Sequence, residues 1–186
     1  MSIKVEVSAR HIHLSQEDAD FLFGKNYKFK EKKKLSQGDD FAAEETVMLA
    51  TEKEELKLRV VGPVRGYSQV EVSKTDAIRL GINPPIRLSG DLNDVEAYDI
   101  EGPIGKARIP VIIAKRHLHL SKQEAIELML KDGEITKVVI VSERGLVFDN
   151  VIVRVAEEYK TNCHIDTDEA NACGLGMVCG EGEILK

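Results

Sequence analysis

A chain that carries one pattern twice has to fold that pattern twice, and the strongest constraint here is such a repeat. Val7-Ser8-Ala9-Arg10-His11-Ile12-His13-Leu14-Ser15 matches Ile113-Ala114-Lys115-Arg116-His117-Leu118-His119-Leu120-Ser121 at an offset of 106 residues. A second echo pairs Glu71-Val72-Ser73-Lys74-Thr75-Asp76-Ala77, closed by Gly81, with His164-Ile165-Asp166-Thr167-Asp168-Glu169-Ala170, closed by Gly174, at an offset of 93. The echoes run in the same order, so the second copy has a middle shorter by 13 residues. The 186 residues are therefore expected to divide into two related halves, 1–108 and 109–186. The chain is long enough for each half to bury an apolar face.

Each half opens with a short alternating strand that runs into Arg-His-X-His-Leu-Ser, and the serine stands where a helix N-cap belongs. Asp18 follows Ser15, and Glu124 follows Ser121, at the spacing of a capping box. Short helices are expected over 16–23 and 122–131, stopped near Gly24 and Gly133. Residues 46–49, 56–61, 69–72, 138–141 and 151–155 alternate or run apolar with β-branched side chains, which reads as strands. Many short strands with a few short helices give a mainly β class, and favour paired barrels or sandwiches over a doubly wound parallel sheet.

Composition removes several function classes. The net charge of -6 comes from 32 acidic against 26 basic residues, and the one basic run, 28–34, is interrupted by Glu31, so nucleic acid is not expected as a partner. A local pocket can still take a small phosphorylated ligand, because it need not share the sign of the whole surface. No apolar run approaches the ~18 residues of a membrane span, and Met-Ser-Ile-Lys-Val-Glu-Val enters a strand pattern at once rather than a signal peptide. The three cysteines, Cys163, Cys173 and Cys179, are odd in number and lack zinc-ribbon spacing, which suits a reducing compartment. A cytoplasmic protein that forms a homo-oligomer is expected.

The histidines carry the functional signal. A strand puts residues i and i+2 on one face, so His11 with His13, and His117 with His119, each present two imidazoles together. The fifth and last histidine, His164, stands in the second echo where the first copy has Glu71. That distribution suggests two sets of metal ligands: His11, His13 and Glu71, and His117, His119 and His164. Three protein ligands with a position left open suit a catalytic zinc, whereas four suit a structural one. Arg65, six residues before Glu71 in the turn Gly62-Pro63-Val64-Arg65-Gly66, can aim its guanidinium at a phosphate. Arg10 and Arg116 should face away from the histidines in structural roles. Cys163 and His164 adjoin, but neighbours on a strand face apart, which argues against a nucleophile–base dyad. The bland alternative is that the histidine pairs are solvated strand ends and that Glu71 and His164 merely begin helices.

Arg10-His11-Ile12-His13-Leu14-Ser15, Phe41-Ala42-Ala43-Glu44-Glu45-Thr46-Val47, Gly62-Pro63-Val64-Arg65, Gln69-Val70-Glu71 and His164-Ile165-Asp166-Thr167-Asp168-Glu169-Ala170-Asn171 together resemble the PduL-type phosphate acyltransferases, also called phosphate propanoyltransferases. The resemblance covers nearly the whole chain. It implies two small β-barrel domains capped by short helices, with a dinuclear zinc site in a crevice between them. It implies His11, His13 and Glu71 on one zinc, His117, His119 and His164 on the other, and Arg65 as the phosphate-binding and catalytic arginine. The implied reaction joins acyl-CoA and phosphate to give acyl phosphate and CoA, and runs in reverse, with coenzyme A as a substrate whose thiol meets the first zinc. Relatives housed in microcompartments carry an amphipathic segment ahead of the first strand; this chain starts only a few residues before His11 and is expected to resemble the free cytosolic form.

Two other readings compete. A zinc-dependent acyl-thioester hydrolase would use the open metal position to activate water, but would not need Arg65. A non-catalytic module with saturated structural metal sites would show no exchangeable position.

Overall fold

A computed structural model of the chain describes residues 2–177 and 179–185. The strands in chain order are β1 (Ser2–Ser8), β2 (His11–His13), β3 (Glu31–Lys34), β4 (Phe41–Ala50), β5 (Glu55–Gly62), β6 (Gln69–Val72), β7 (Ile86–Arg87), β8 (Ala97–Glu101), β9 (Lys106–Ala114), β10 (His117–Leu120), β11 (Ile135–Val141), β12 (Leu146–Val155), β13 (Asn162–Asp166) and β14 (Gly180–Leu185). Four short helices, α1 (Gln16–Phe23), α2 (Lys74–Leu80), α3 (Lys122–Leu128) and α4 (Thr167–Ala172), follow β2, β6, β10 and β13. The class is mainly β, with two closed six-stranded barrels.

One barrel runs β4-β5-β2-β6-β9-β8 and closes where β8 pairs with β4; β3 and β7 extend it beside β4 and β9. The other runs β1-β13-β10-β12-β11-β14 and closes on itself. Their pairings correspond one for one. The His-X-His strand lies parallel to β5 in one barrel and to β12 in the other, and antiparallel to β6 or β13. Those last two strands lie parallel to β9 and β1 respectively.

This correspondence corrects the simple division at 108/109. The strand that leads into β2 is β1, yet β1 pairs with β13 and β14; the strand that leads into β10 is β9, yet β9 pairs with β6 and β8. Each copy of the repeat thus gives its leading strand to the barrel of the other copy. The compact units are residues 10–114, and residues 1–9 with 115–186. Sequence self-comparison finds the repeat but not the exchange, because the exchange leaves strand order and pattern within each copy unchanged.

The alternation on the His-X-His strands decides what faces where. Ile12 and Leu14 point into one core, with Val70, Val72, Val111 and Ile113; Leu118 and Leu120 point into the other, with Val5, Cys163 and Ile165. With a side-chain period of two, the histidines must take the outer face. Burial of each Val, Leu or Ile contributes ~1.5–3 kcal/mol, so the register that puts these side chains inside is strongly held.

The helix starts follow the expected serines with one difference. Ser121 and Glu124 form a complete capping box. Ser15 caps α1 by accepting from the Asp18 N–H, but its own N–H donates to Ser68 Oγ at 2.8 Å, and the Asp18 carboxylate takes the Ser68 hydroxyl instead of closing the box. Helix α3 ends at Leu128, short of the expected 131, because Met129 adopts φ 56° and its N–H turns back to Ala125 and Ile126; Gly133 serves the turn into β11 instead. No helix among the described residues is long and apolar enough to cross a membrane.

The exchanged strands can be tested at two positions matched by the repeat. Val5→Ala and Val111→Ala, both at fully buried sites, should each cost about 1.5–3 kcal/mol. Amide hydrogen exchange should quicken in β10 and β13 for Val5→Ala, and in β2 and β6 for Val111→Ala. The reverse assignment would contradict the exchange.

Candidate metal centres

The two histidine pairs find their third partners by strand register. Antiparallel pairing puts His11 directly opposite Glu71 and His117 directly opposite His164. Residues in direct cross-strand register bring their Cβ atoms to ~4.5–5.5 Å, close enough for side chains to share a ligand. The result is two groups, His11 with His13 and Glu71, and His117 with His119 and His164, in each of which one ligand atom per residue lies within 4.8 Å of the others. Glu71 and His164 do not begin helices: they lie within β6 and β13, two residues ahead of the helix N-caps Ser73 and Asp166.

In the first group, His11 Nε2 and His13 Nε2 are 3.1 Å apart, and the Glu71 carboxylate lies 3.6 Å from His11 Nε2 and 4.0 Å from His13 Nε2. His13 Nδ1 is 3.3 Å from the Val61 carbonyl. A carbonyl only accepts, so Nδ1 carries the proton and Nε2 keeps its lone pair toward the group. Gln69 fixes the carboxylate, donating to Glu71 Oε1 at 2.6 Å, while its own amide is held by Ser89 Oγ at 2.9 Å and the Gly90 N–H at 2.8 Å. Burial, with the neighbouring His11 and Arg65 charges, holds His13 well below the usual imidazole range, so it is neutral.

In the second group, His117 Nδ1 meets the Lys115 carbonyl at 2.9 Å, which leaves Nε2 as the acceptor there by the same argument. Burial lowers His119 to about 2, helped by His117, His164 and Arg154. His119 Nδ1 is buried without a hydrogen-bond partner among the described residues, a cost that a bound cation or water would relieve. Tyr159 packs on the His119 ring at 4.3 Å between centroids, and Arg154, opposite His119 in the register, lies over Tyr159. The buried, neutral His13 and His119, grouped with three further imidazoles and a carboxylate, make nitrogen and oxygen donor sets that suit zinc. Both groups therefore fit a metal.

The arginines separate as expected. Arg10 grips Asp76 with two bonds of 2.9 and 2.7 Å, and Arg116 binds Glu169 at 2.7 Å and the Asp149 carbonyl at 2.8 Å. Asp76 and Glu169 are also the capping-box residues of α2 and α4, so each arginine ties its His-X-His strand to the helix that follows the third group member. Arg65 is positioned by its own backbone: its N–H donates to the Leu14 carbonyl at 2.8 Å, which pins the turn beside the end of β2. Its guanidinium reaches Asp40 at 2.8 Å and remains one-quarter exposed. Asp40 and Gln69 escape sequence reasoning, since neither belongs to a repeated motif; so does Glu6, whose carboxylate lies 3.2 Å from His164 Nε2.

The model of the phosphate propanoyltransferase family matches residues 4–176. The chain is similar to the phosphate propanoyltransferase of Thermotoga maritima, with 47% identity over 93% of this chain and 84% of the relative. It is similar to that of Clostridioides difficile at 42% identity over 92% and 84%, and to that of Salmonella typhimurium at 44% over 92% and 83%.

Cys163 is not a partner for His164. It is fully buried among the core residues of its barrel, and burial pushes its thiol up to about 12. A thiol with that pKa is protonated at neutral pH and a poor nucleophile. Iodoacetamide at pH 8 should therefore modify the exposed Cys179 in the folded protein and spare Cys163 until the chain is denatured. Folded Cys163→Ala should keep its enzymatic activity; complete loss would restore covalent catalysis through this thiol.

Proposed function

The chain belongs to the phosphate propanoyltransferase family, and from that premise we propose that it interconverts a short-chain acyl-CoA plus phosphate with acyl phosphate plus CoA at two zinc-binding groups. It is a phosphate acyltransferase. The observation that carries the finer reading is the gathering of His11, His13 and Glu71, and of His117, His119 and His164, into compact donor sets. Each set would hold one zinc, two per chain. Bound zinc favours the deprotonated form of the CoA thiol and polarises an acyl oxygen.

The residues supply the rest. Burial keeps His13 and His119 neutral, so both are ready to donate lone pairs near neutral pH. Gln69 holds Glu71 in a fixed orientation. Arg65, anchored at one end of its guanidinium by Asp40, has N–H groups left to clamp phosphate with charge-assisted hydrogen bonds. A phosphate oxygen then bonds to the thioester carbonyl carbon, the carbon–sulfur bond breaks, and CoA leaves as the thiolate. No protein nucleophile intervenes, in keeping with the protonated, buried Cys163.

Zinc content should be close to two per chain by elemental analysis, and His117→Ala should lower it towards one, because losing an imidazole donor weakens the hold of that group on its ion. Unchanged zinc in that variant would remove the ligand assignment. A steady-state assay of acetyl phosphate formation from acetyl-CoA, with phosphate varied, tests the reaction. Arg65→Ala should weaken phosphate use by ~1.5–3 kcal/mol, roughly ten- to a hundredfold, at unchanged zinc content. Normal phosphate dependence in that variant would take Arg65 out of the mechanism, and wild-type CoA release that ignores phosphate would indicate a thioester hydrolase. The same assay with propanoyl-CoA sets the acyl preference.

A further inference from the structure

The repeat makes the two donor sets comparable position by position, and they differ on one neighbouring strand. Glu71 lies opposite Ile112 of β9, and His164 lies opposite Glu6 of β1. Residues 6 and 112 are counterparts at the 106-residue offset. Ile112 is fully buried and stands outside the barrel core, on the same outer face as the donors. In its place the other barrel has a carboxylate. Glu6 Oε2 is 3.2 Å from His164 Nε2, closer than Glu71 comes to either of its own histidines, at 3.6 and 4.0 Å. The other carboxylate oxygen, Oε1, holds the ammonium of Lys4, so Oε2 is the one turned to the histidines.

We propose that Glu6 is a fourth protein ligand of the second metal centre, making it a site of three histidines and one carboxylate. This rests on the zinc reading above. Three neutral imidazoles bring no negative charge to a divalent cation; in the first centre Glu71 brings one, and in the second Glu6 does. A bond of ~2.0–2.2 Å from zinc to each of His164 and Glu6 sets their donor atoms about 3.3–3.5 Å apart in a tetrahedral site, which is close to the separation already present.

The test uses the full chain, zinc as the probe and a chromophoric chelator as competitor. Glu6→Ile copies the residue that the other barrel carries at this position, and Glu6→Gln keeps a hydrogen-bond acceptor for His164 without the charge. Circular dichroism checks that both fold. In each, one of the two zinc ions should be lost to the chelator at least tenfold more readily than in wild type, with the other unchanged. Cobalt substituted for zinc should show an altered visible spectrum from one centre only. Loss in Glu6→Ile with wild-type affinity in Glu6→Gln would make Glu6 a hydrogen-bonding support and overturn its role as a ligand. Two ions held as in wild type by both variants would also overturn it, while leaving the zinc reading intact. A wild-type chain that binds no zinc would overturn both.

Discussion

The antiparallel register between each His-X-His strand and its neighbour is the constraint from which the sites follow. His11 opposite Glu71, and His117 opposite His164, are consequences of pairing β2 with β6 and β10 with β13. A slip of one residue would turn His11 and His13 into the core and expose Ile12 and Leu14, so the energy that holds the donors together is the burial of the alternate residues. The Arg10–Asp76 and Arg116–Glu169 pairs reinforce the same register, because each ties the donor strand to the helix that begins just beyond the third donor. The face that carries the histidines is thus held in place by the core.

The reciprocal exchange of β1 and β9 changes what duplication means in this chain. Neither copy of the repeat closes a barrel with its own strands; each borrows the strand that precedes the other copy's histidines. The exchange also lets one barrel differ from the other where the borrowed strand passes the donors. Glu6 arrives at the second centre on β1, while Ile112 occupies the matching place on β9. A single duplicated scaffold in this way carries two clusters of unlike charge, with the folding determinants of both kept the same.

Burial does more than hold the fold here. It keeps His13 and His119 neutral, which metal donors require, and it keeps Cys163 protonated, which removes a competing nucleophile next to His164. The same alternation of strand residues produces both results: the thiol falls on the inner face and the imidazoles on the outer.

The sequence by itself determined the duplication, the strands at 69–72 and within 41–62, the start of both helices that follow Ser15 and Ser121, and the six residues that gather into two groups. Those rest on local periods and on residue identity, which a linear pattern carries. The tertiary structure decided the rest. That β1 belongs with β13 and β9 with β6 depends on pairings between residues 158 apart in the chain for the first and 41 apart for the second, and no local pattern encodes a partner. Asp40 beside Arg65, Gln69 beneath Glu71 and Glu6 against His164 carry no role that the sequence pattern assigns. Only closure of the barrels brings them to the site, because hydrogen bonds and charge act over a few ångströms of space and take no account of separation along the chain.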